Sequence, residues 1–272
     1  MKNFLGKDYT SVAWLTAHFH AKLSDRLREI SQLPIFSGDK VLDIGCGPGL
    51  YGRYLASLVG EHGRLICIDQ DTENVRIANI QLENTGFQNW DVLCMDFNAA
   101  ADLCQDADVI IIFNSLSYAK NPHNVLIQFF RSMKSGARLV IKDFDQGFIS
   151  FSGISIEKWG HLLTHAFINN NERNPLSCDN FFGRRVHLIH QMHECSHYYN
   201  RVWTQCIAHP FTPAQIKYIY NNIDSLSRQA ERSCDQEVLE YFKSAFCEDQ
   251  GWFYTNDSSI FIENEFITVL TK

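Results

Sequence analysis

The residues best suited to bind a ligand are three glycines in a short loop. Gly45, Gly47 and Gly49 alternate with other residues directly after an apolar run at residues 41–44, and a helix is predicted to begin near Leu50. Glycine permits tight turns and lets a ligand approach the backbone closely. This context is typical of nucleotide-binding loops. Residues 47–52 also fit the dinucleotide fingerprint Gly-x-Gly-x-x-Gly, so a dehydrogenase is an alternative.

Two acids near this loop bear on the class of ligand. Asp43 stands two residues before Gly45. A carboxylate there would repel a pyrophosphate, whereas it would attract a ligand that carries an ammonium and a sulfonium. Asp69 ends the next predicted strand, where an acid can accept hydrogen bonds from both hydroxyls of a ribose, but NAD-binding folds place an acid at the same point. Asp43 is therefore the acid that favours a cationic ligand over a dinucleotide.

The run Val-Leu-Asp-Ile-Gly-Cys-Gly-Pro-Gly at residues 41–49 resembles the first motif of class I S-adenosylmethionine (SAM)-dependent methyltransferases. The resemblance covers residues 9–145 by motif and residues 261–270 by pattern alone. It implies SAM as the cofactor. The cofactor-binding residues that it implies are Asp43, Gly45, Cys46, Gly47 and Gly49 in the loop, Asp69 at the ribose, Gln70 at the adenosine, Asp96 and Phe97 at the adenine, and Asn114 in the cleft between cofactor and methyl acceptor.

The elements that must position these residues alternate along the chain. Short Val-, Ile- and Leu-rich runs at residues 41–44, 64–68, 91–95, 107–113 and 138–142 predict strands buried on both faces. Helical stretches separate most of them, which predicts right-handed crossovers. We therefore expect an α/β fold with a doubly wound, mostly parallel, seven-stranded sheet and an antiparallel last strand.

The chain is expected to fold as one unit with a helical insertion before the last two strands. Residues 1–38 are predicted to form an N-terminal helical cap, with one helix at 11–33, and residues 39–145 the SAM-binding core. Residues 146–258 are predicted to form a helical lid and acceptor region with one strand, and residues 259–272 the last strand of the sheet.

The methyl acceptor and its chemistry are less constrained. A general base is needed only if the acceptor keeps its proton at working pH, and His18 and Tyr118 are candidates. Aromatic residues in the insertion suit an apolar lid over a small aromatic or lipophilic acceptor of specialised metabolism, methylated on O, N or C. A SAM-fold binding protein, or a non-methylating enzyme of this fold, is the alternative. The aromatic residues are Phe148, Phe151, Trp159, Phe167, Phe181, Phe182, Tyr198, Tyr199 and Trp203.

A competing motif is His193-Glu194-Cys195-Ser196-His197, which spells H-E-x-x-H. On a helix this spacing binds zinc, with Glu194 as general base of a hydrolase. The residues that follow are predicted to leave the helix for a strand. Asn200 and Trp203 also stand where the extended motif needs Gly and His. A zinc hydrolase is therefore a remote alternative, and no metal is predicted.

Composition limits the partners. The formal net charge of −7 disfavours nucleic acid and anionic membrane surfaces. The nine cysteines contain no Cys-x-x-Cys pair and several lie in apolar runs, which indicates reduced thiols. No signal-peptide pattern is found, and the longest apolar run is too short to span a bilayer. We expect a cytoplasmic monomer or homodimer that acts on a small molecule, without nucleic-acid or membrane partners.

Overall fold

The computed structural model describes residues 11–119, 121–171, 179–189, 195–248 and 250–272; the side chains of residues 97, 98, 170 and 171 lie outside the described part. Five parallel strands lie side by side in the order β3–β2–β1–β4–β5. They are β1 (Lys40–Ile44), β2 (Arg64–Asp69), β3 (Trp90–Cys94), β4 (Val109–Phe113) and β5 (Arg138–Phe144).

Helices cover both faces of this sheet, as its apolar strands require. All five residues of β4 are buried, because α3 (Gly52–Val59) packs on one face and α5 (Pro122–Ser132) on the other. A further helix, α4 (Thr72–Glu83), joins β2 to β3. The predicted doubly wound α/β fold is confirmed. Since β1 pairs with both β2 and β4, the strand order reverses there, and open α/β sheets bind ligands at that point.

Two long antiparallel strands extend the sheet beyond β5. They are β7 (His197–Ala208) and the last strand, β8 (Ile260–Thr271). One edge of β8 pairs with β5 and the other with the full length of β7. The sheet has eight strands instead of the seven predicted, because β5 pairs only with Glu265 to Thr271. The two-residue strand β6 (Ser150–Phe151) pairs with β8 beyond that point.

The insertion is divided by β7 and does not lie wholly before the last two strands. In the described part of the insertion, two α-helices precede β7 and three lie between β7 and β8. They are α6 (Ile156–Asn171), α7 (Gly183–Val186), α8 (Pro213–Ala230), α9 (Gln236–Ala245) and α10 (Trp252–Thr255). Helices α6, α8, α9 and α10 share an apolar cluster of their own. None of the helices in the described residues is long and apolar enough to cross a membrane.

The predicted helix at residues 11–33 is in fact two helices, α1 (Val12–Ala21) and α2 (Leu23–Ile30). The break is at Lys22, whose φ of −122° is not helical. Its ammonium is buried and donates hydrogen bonds to Glu263 and Glu265 of β8, the second at 2.7 Å. A charge removed from water needs such partners, so the backbone bends to bring Lys22 onto the sheet.

Candidate functional site

A cavity of about 490 Å³ opens at the carboxyl ends of β1, β2 and β4, where the strand order reverses. Its volume lies within the roughly 300–1,000 Å³ of small-molecule sites. Helices α1, α2 and α8 contribute the opposite wall. Nine of the predicted site residues line it: His18, Asp43, Gly45, Cys46, Gly47, Asp69, Gln70, Asn114 and Tyr118.

Two predicted residues, Gly49 and Asp96, are not among the wall residues of the described structure. Gly49 has a φ of +73°, and a Cβ there would lie 2.9 Å from the backbone of Ala78 in α4. This glycine therefore lets α4 pack against the loop. Asp96 is exposed beyond the end of β3, and the neighbouring Met95 lines the cavity in its place. The side chain of Phe97 lies outside the described residues.

The glycine loop uses its own N–H groups internally. The amides of Gly45 and Cys46 donate to Ile68 O at 2.7 and 3.0 Å, and that of Gly47 donates to Asp69 Oδ2 at 2.8 Å. The φ of Gly47, +55°, makes this turn possible. Anion sites at helix N-termini need free N–H donors. The loop is therefore poorly equipped to bind a pyrophosphate, in agreement with the choice of a cationic nucleoside.

Asp43 is a buried carboxylate that has no counter-charge among the described residues. Its side chain is 3% exposed and lines the cavity, and its Oδ2 has no hydrogen-bond partner. Burial, and then the negative charge of Asp69, raise the pKa of Asp43 to about 7. A buried carboxylate is stable as an anion only beside a cation or donors. The site therefore fits a ligand that brings positive charge, such as the ammonium and sulfonium of SAM.

Asp69 fixes the loop and still faces the cavity. Its Oδ2 accepts from Gly47 N, and its Oδ1 accepts from Asp71 N at 2.9 Å. The side chain of Asn74 also forms a hydrogen bond with Asp69. A carboxylate has about four lone-pair sites, so Asp69 keeps capacity to accept from a ligand hydroxyl. Asp71 caps the N-terminus of α4 by accepting hydrogen bonds from two backbone amides. This cap fixes the chain directly after Asp69, and both residues line the cavity.

Asn114 lies at the end of β4 in a left-handed conformation, with φ +50°. Its backbone N–H donates to Lys142 O at 2.8 Å, which continues the pairing with β5. The side-chain Oδ1 is buried without a partner. Backbone strain of this kind is concentrated at functional sites. In the strand order, Asn114 stands between Asp43 and the end of β5, and it presents a hydrogen-bond acceptor to the cavity.

His18 lines the cavity, but its imidazole is already engaged. Arg26 Nη2 lies 2.9 Å from His18 Nδ1. Since a guanidinium can only donate, Nδ1 accepts and the ring proton stands on Nε2. Burial, and then the charges of Lys22 and Arg26, hold the pKa of His18 well below its usual value. The ring is therefore neutral and presents an N–H donor, a poor arrangement for the predicted general base.

Helix α8 forms a wall that the sequence interpretation did not include. Asn222, Ser225 and Gln229 are buried polar residues at the helical spacing i, i+3, i+7. Asn222 and Ser225 line the cavity. Gln229 Nε2 donates to Ser225 Oγ at 3.1 Å and to Gln146 Oε1 at 3.2 Å. In the sequence, these polar residues form a stripe beside the apolar stripe of Ile219, Ile223 and Leu226. That pattern could have indicated a helix with a buried polar face.

The cavity wall thus contains two chemically different groups of residues. We define the glycine-loop end by Asp43, the loop 45–50 and Asp69, and the α8 end by Gln146, Asn222 and Ser225. Other wall residues that were not predicted include Trp14, Phe19, Tyr51, Phe144 and Asn180.

The nine aromatic residues of the insertion do not line this cavity, although all nine lie in the described part of the chain. Phe151, Trp159 and Phe181 pack in the helical cluster of α6, α8 and α9. Phe148 and Tyr198 are 40% and 46% exposed. The argument from these residues to an aromatic or lipophilic acceptor was wrong, because they fill cores or face solvent, as aromatic residues in a fold commonly do.

A buried ionic network stands behind the α8 end. Lys142 Nζ lies 2.9 Å from Glu265 Oε2 and 3.5 Å from Glu29 Oε1, and it donates to Tyr51 Oη at 3.1 Å. Although burial opposes it, the charges of Lys142 and Lys22 lower the pKa of Glu265 well below its usual value. Because Tyr51 lines the cavity, this network holds part of its wall in place.

The structure adds nothing in favour of the zinc alternative. His193 and Glu194 lie outside the described residues, and His197 is the exposed first residue of β7. In the described part of the chain, no three His, Cys, Asp or Glu side chains are grouped as metal ligands. The described cysteines are all free thiols, as expected.

Comparison with known proteins identifies the family to which the chain belongs. The family model of the methyltransferase domain matches residues 35–225. This stretch begins before β1 and ends within α8, so it includes the glycine loop and most of the cavity wall.

Individual relatives match a smaller part of this chain than the family model does. A protein-L-isoaspartate O-methyltransferase of Methanococcus aeolicus is 31% identical over 108 residues, 40% of this chain and 47% of that protein. A ubiquinone biosynthesis O-methyltransferase of Coxiella burnetii is 24% identical over 148 residues, 54% of this chain and 61% of that protein. The chain spans about half the length of the curated relatives it matches.

A solved structure shows the same fold over the whole chain. It is phosphoethanolamine N-methyltransferase 2 of Haemonchus contortus, in complex with phosphomonomethylethanolamine and S-adenosylhomocysteine (SAH). The TM-score is 0.58 at 13% sequence identity, with 100% of this chain and 59% of that chain covered. At this identity the likeness concerns the fold alone.

Proposed function

The chain belongs to the methyltransferase-domain family of class I SAM-dependent enzymes, and from this premise we propose that it methylates a small polar molecule. SAM supplies a methyl group on a sulfonium, which passes to a nucleophilic O, N or C atom and leaves SAH. The observation that carries the proposal is the buried, unpaired Asp43 on the wall of a cavity that continues to a second, polar end.

The glycine-loop end is proposed to bind SAM. Asp43 would face its positive charge, and Asp69 would accept from the ribose hydroxyls through its remaining lone pairs. Gly45 and Gly47 have no side chain to obstruct the ligand, and a Cβ on Gly47 would already lie 3.2 Å from Leu15 of α1. Helices α1 and α2 of the predicted cap would cover the bound cofactor; residues 1–10 of that cap lie outside the described residues.

The α8 end is proposed to bind the methyl acceptor, with residues 146–258 as the acceptor region. Its amides and hydroxyl favour a molecule that forms hydrogen bonds, in contrast to the lipophilic acceptor expected from the sequence. Tyr118 and Asn114 lie where β4 ends, between the two ends of the cavity, and would contact the acceptor near its reacting atom. These residues position the acceptor and exclude water, which is the protein's main task in such a transfer.

Calorimetric titration with SAM and SAH tests the cofactor assignment. We expect saturable binding of both at one site per chain, and no binding of NAD. Failure to bind either nucleoside would contradict the proposal. Tritium transfer from [methyl-³H]SAM into a small-molecule extract then tests methylation. Tight SAM binding without any transfer would indicate a binding protein or a non-methylating enzyme, and one tightly held zinc per chain would support the hydrolase.

A further inference from the structure

Gln229 of α8 holds two polar side chains of the α8 end from behind. Its Nε2 donates hydrogen bonds to Ser225 Oγ at 3.1 Å and to Gln146 Oε1 at 3.2 Å. All three residues are buried. Ser225 and Gln146 line the cavity, whereas Gln229 is not among the wall residues. Because both hydrogen bonds start from one nitrogen, Ser225 and Gln146 lie beside each other on the wall.

The direction of these two hydrogen bonds decides which atoms face a ligand. An amide nitrogen donates and an amide oxygen accepts, so Gln229 occupies the accepting side of both Ser225 Oγ and Gln146 Oε1. The hydroxyl hydrogen of Ser225 and the Nε2 of Gln146 remain, and the described residues give neither of them a hydrogen-bond acceptor. Both groups are donors. A buried donor without a partner costs free energy that a ligand oxygen would recover.

Neighbouring elements fix the backbone around both donors. The backbone N–H of Gln146 donates to Asn180 O at 2.9 Å. On the other side, Asn169 Nδ2 of α6 donates to Gln229 O at 2.8 Å, so that α6 holds the end of α8 from which Gln229 reaches the wall. Donors that are positioned before a ligand arrives reduce the entropy cost of binding it. The two donors therefore form a prepared binding site.

The strand order places these donors away from the proposed SAM site. Asp69 ends β2, Asp43 lies in β1, and Gln146 follows β5. The order β2–β1–β4–β5 puts three strand spacings between β2 and β5, and each spacing is about 4.8 Å. A nucleoside that is held at Asp69 and Asp43 therefore leaves the end of β5 to a second ligand, which is the methyl acceptor.

We propose that the methyl acceptor binds through a carbonyl oxygen, which accepts hydrogen bonds from Ser225 Oγ and Gln146 Nε2, and that Gln229 is the positioning residue that directs both donors. A carbonyl oxygen has two lone pairs and no hydrogen, so it complements two neighbouring donors. Ketones, amides and carboxylates share this chemistry. The inference rests on the proposed function, since it needs SAM at the glycine-loop end.

Binding of a matched probe pair to the SAH-loaded protein tests the inference without knowledge of the natural acceptor. The probes are 2-pyrrolidinone and 2-pyrrolidinethione, which share ring and N–H and differ in the oxygen, since sulfur is a weak acceptor. Titrations followed by saturation-transfer NMR measure both dissociation constants. We expect the oxygen compound to bind saturably and at least about fivefold more tightly. Equal or tighter binding of the sulfur compound, or no saturable binding of 2-pyrrolidinone, would overturn the inference.

The variant Gln229→Met assigns the preference to the positioning residue. It leaves the wall residues in place but frees Ser225 and Gln146 to turn, so we expect the two probes to bind within about twofold of each other, with SAH affinity unchanged within about twofold. The exposed Gln236→Met on α9 is the matched control and should keep the preference. An unchanged preference in Gln229→Met would contradict the inference. If that variant does not fold, Ser225→Ala removes one donor and should reduce the preference about threefold; an unchanged preference there would also contradict it.

A second arm separates the sources of the oxygen. Cyclopentanone has an uncharged carbonyl group, whereas acetate is a carboxylate. Tighter binding of cyclopentanone to the SAH-loaded protein would support the inference for ketones and amides, and tighter binding of acetate would support it for carboxylates. Failure of the unaltered protein to bind SAH at all would contradict the proposed function. SAH binding without any preference for 2-pyrrolidinone would overturn this inference and leave the proposed function standing.

Discussion

The two ends of the cavity differ in how they are built. The glycine-loop end comes from neighbouring strand ends, and its residues lie within a short stretch of the chain, from Asp43 to Asp71. The α8 end combines Gln146, which follows β5, with Asn222 and Ser225 of α8, far along the chain. One end is a local motif, whereas the other exists only after the chain has folded.

The ends also differ in charge. Among the described residues, the glycine-loop end has a buried carboxylate, Asp43, whose Oδ2 lacks a hydrogen-bond partner. The side chains of Gln146, Asn222 and Ser225 at the α8 end are neutral amides and a hydroxyl. The difference teaches that only the glycine-loop end offers a charge that matches a cationic ligand, and each end can be disrupted separately.

The largest effect is expected for Asp43→Asn, which removes the negative charge that faces the cofactor. Loss of one member of a desolvated charge pair costs about 3–5 kcal/mol, so SAM affinity should fall at least about 100-fold at pH 8. Calorimetry measures this, with the exposed Asp102→Asn as a control. Affinity within threefold of the unaltered protein would remove Asp43 from the SAM site.

Asp69→Ala should weaken SAM binding by about thirtyfold, or about 2 kcal/mol. The change removes the proposed acceptor for the ribose hydroxyls and also frees the amide of Gly47 from its 2.8 Å hydrogen bond. Asp91→Ala, on the surface of β3, is the matched control. If SAM affinity does not change, Asp69 acts only within the loop and the ribose lies elsewhere.

The pH dependence of SAM binding should show the titration of Asp43. Its pKa of about 7 in the free protein means that much of it is protonated at pH 6, and a cationic ligand requires the ionised form. SAM affinity should therefore rise about tenfold from pH 6 to pH 8. Asp69 and the thiols of Cys46 and Cys67 are the other titratable groups near it. A flat profile in the unaltered protein, or a tenfold rise that persists in Asp43→Asn, would contradict this.

The smallest effect concerns the α8 end. Asn222→Leu replaces a buried amide of the acceptor wall by an apolar side chain of similar size. We expect about a fivefold higher KM for a polar acceptor, or about 1 kcal/mol, and SAH affinity unchanged within twofold. The exposed Asn84→Leu on the far side of α4 controls for loss of an amide. A larger change in SAH affinity than in KM would mean that the ends are not separate.

The sequence predicted the residues of the glycine-loop end but not those of the α8 end, and the reason is physical. The loop 45–49 with Asp43 and Asp69 is a local pattern, because a strand, a turn and a helix fix its shape within a few residues. His18 was chosen because imidazole is a common general base. Its hydrogen bond with Arg26 depends on the break between α1 and α2 at Lys22. Because that break follows from the contact of Lys22 with acids on β8, far along the chain, the sequence pattern did not reveal it.

The aromatic lid was predicted wrongly for the same reason. Aromatic residues are abundant in the insertion, yet Phe151 and Trp159 pack against other helices, and only the fold decides which side chains face a cavity. The doubly wound, mostly parallel sheet was predictable from the alternation of strands and helices, whereas β6 was not, because two residues pair only where β5 leaves the edge of β8 free.

A crystal structure of the protein with SAH bound tests the central claim most directly. We predict SAH at the glycine-loop end, with Asp43 facing its amino-acid or sulfur part and Asp69 within hydrogen-bonding distance of the ribose hydroxyls. The space beside Asn222 and Ser225 should stay free for the methyl acceptor. SAH that occupies the α8 end, or that lies away from Asp43, would contradict the account.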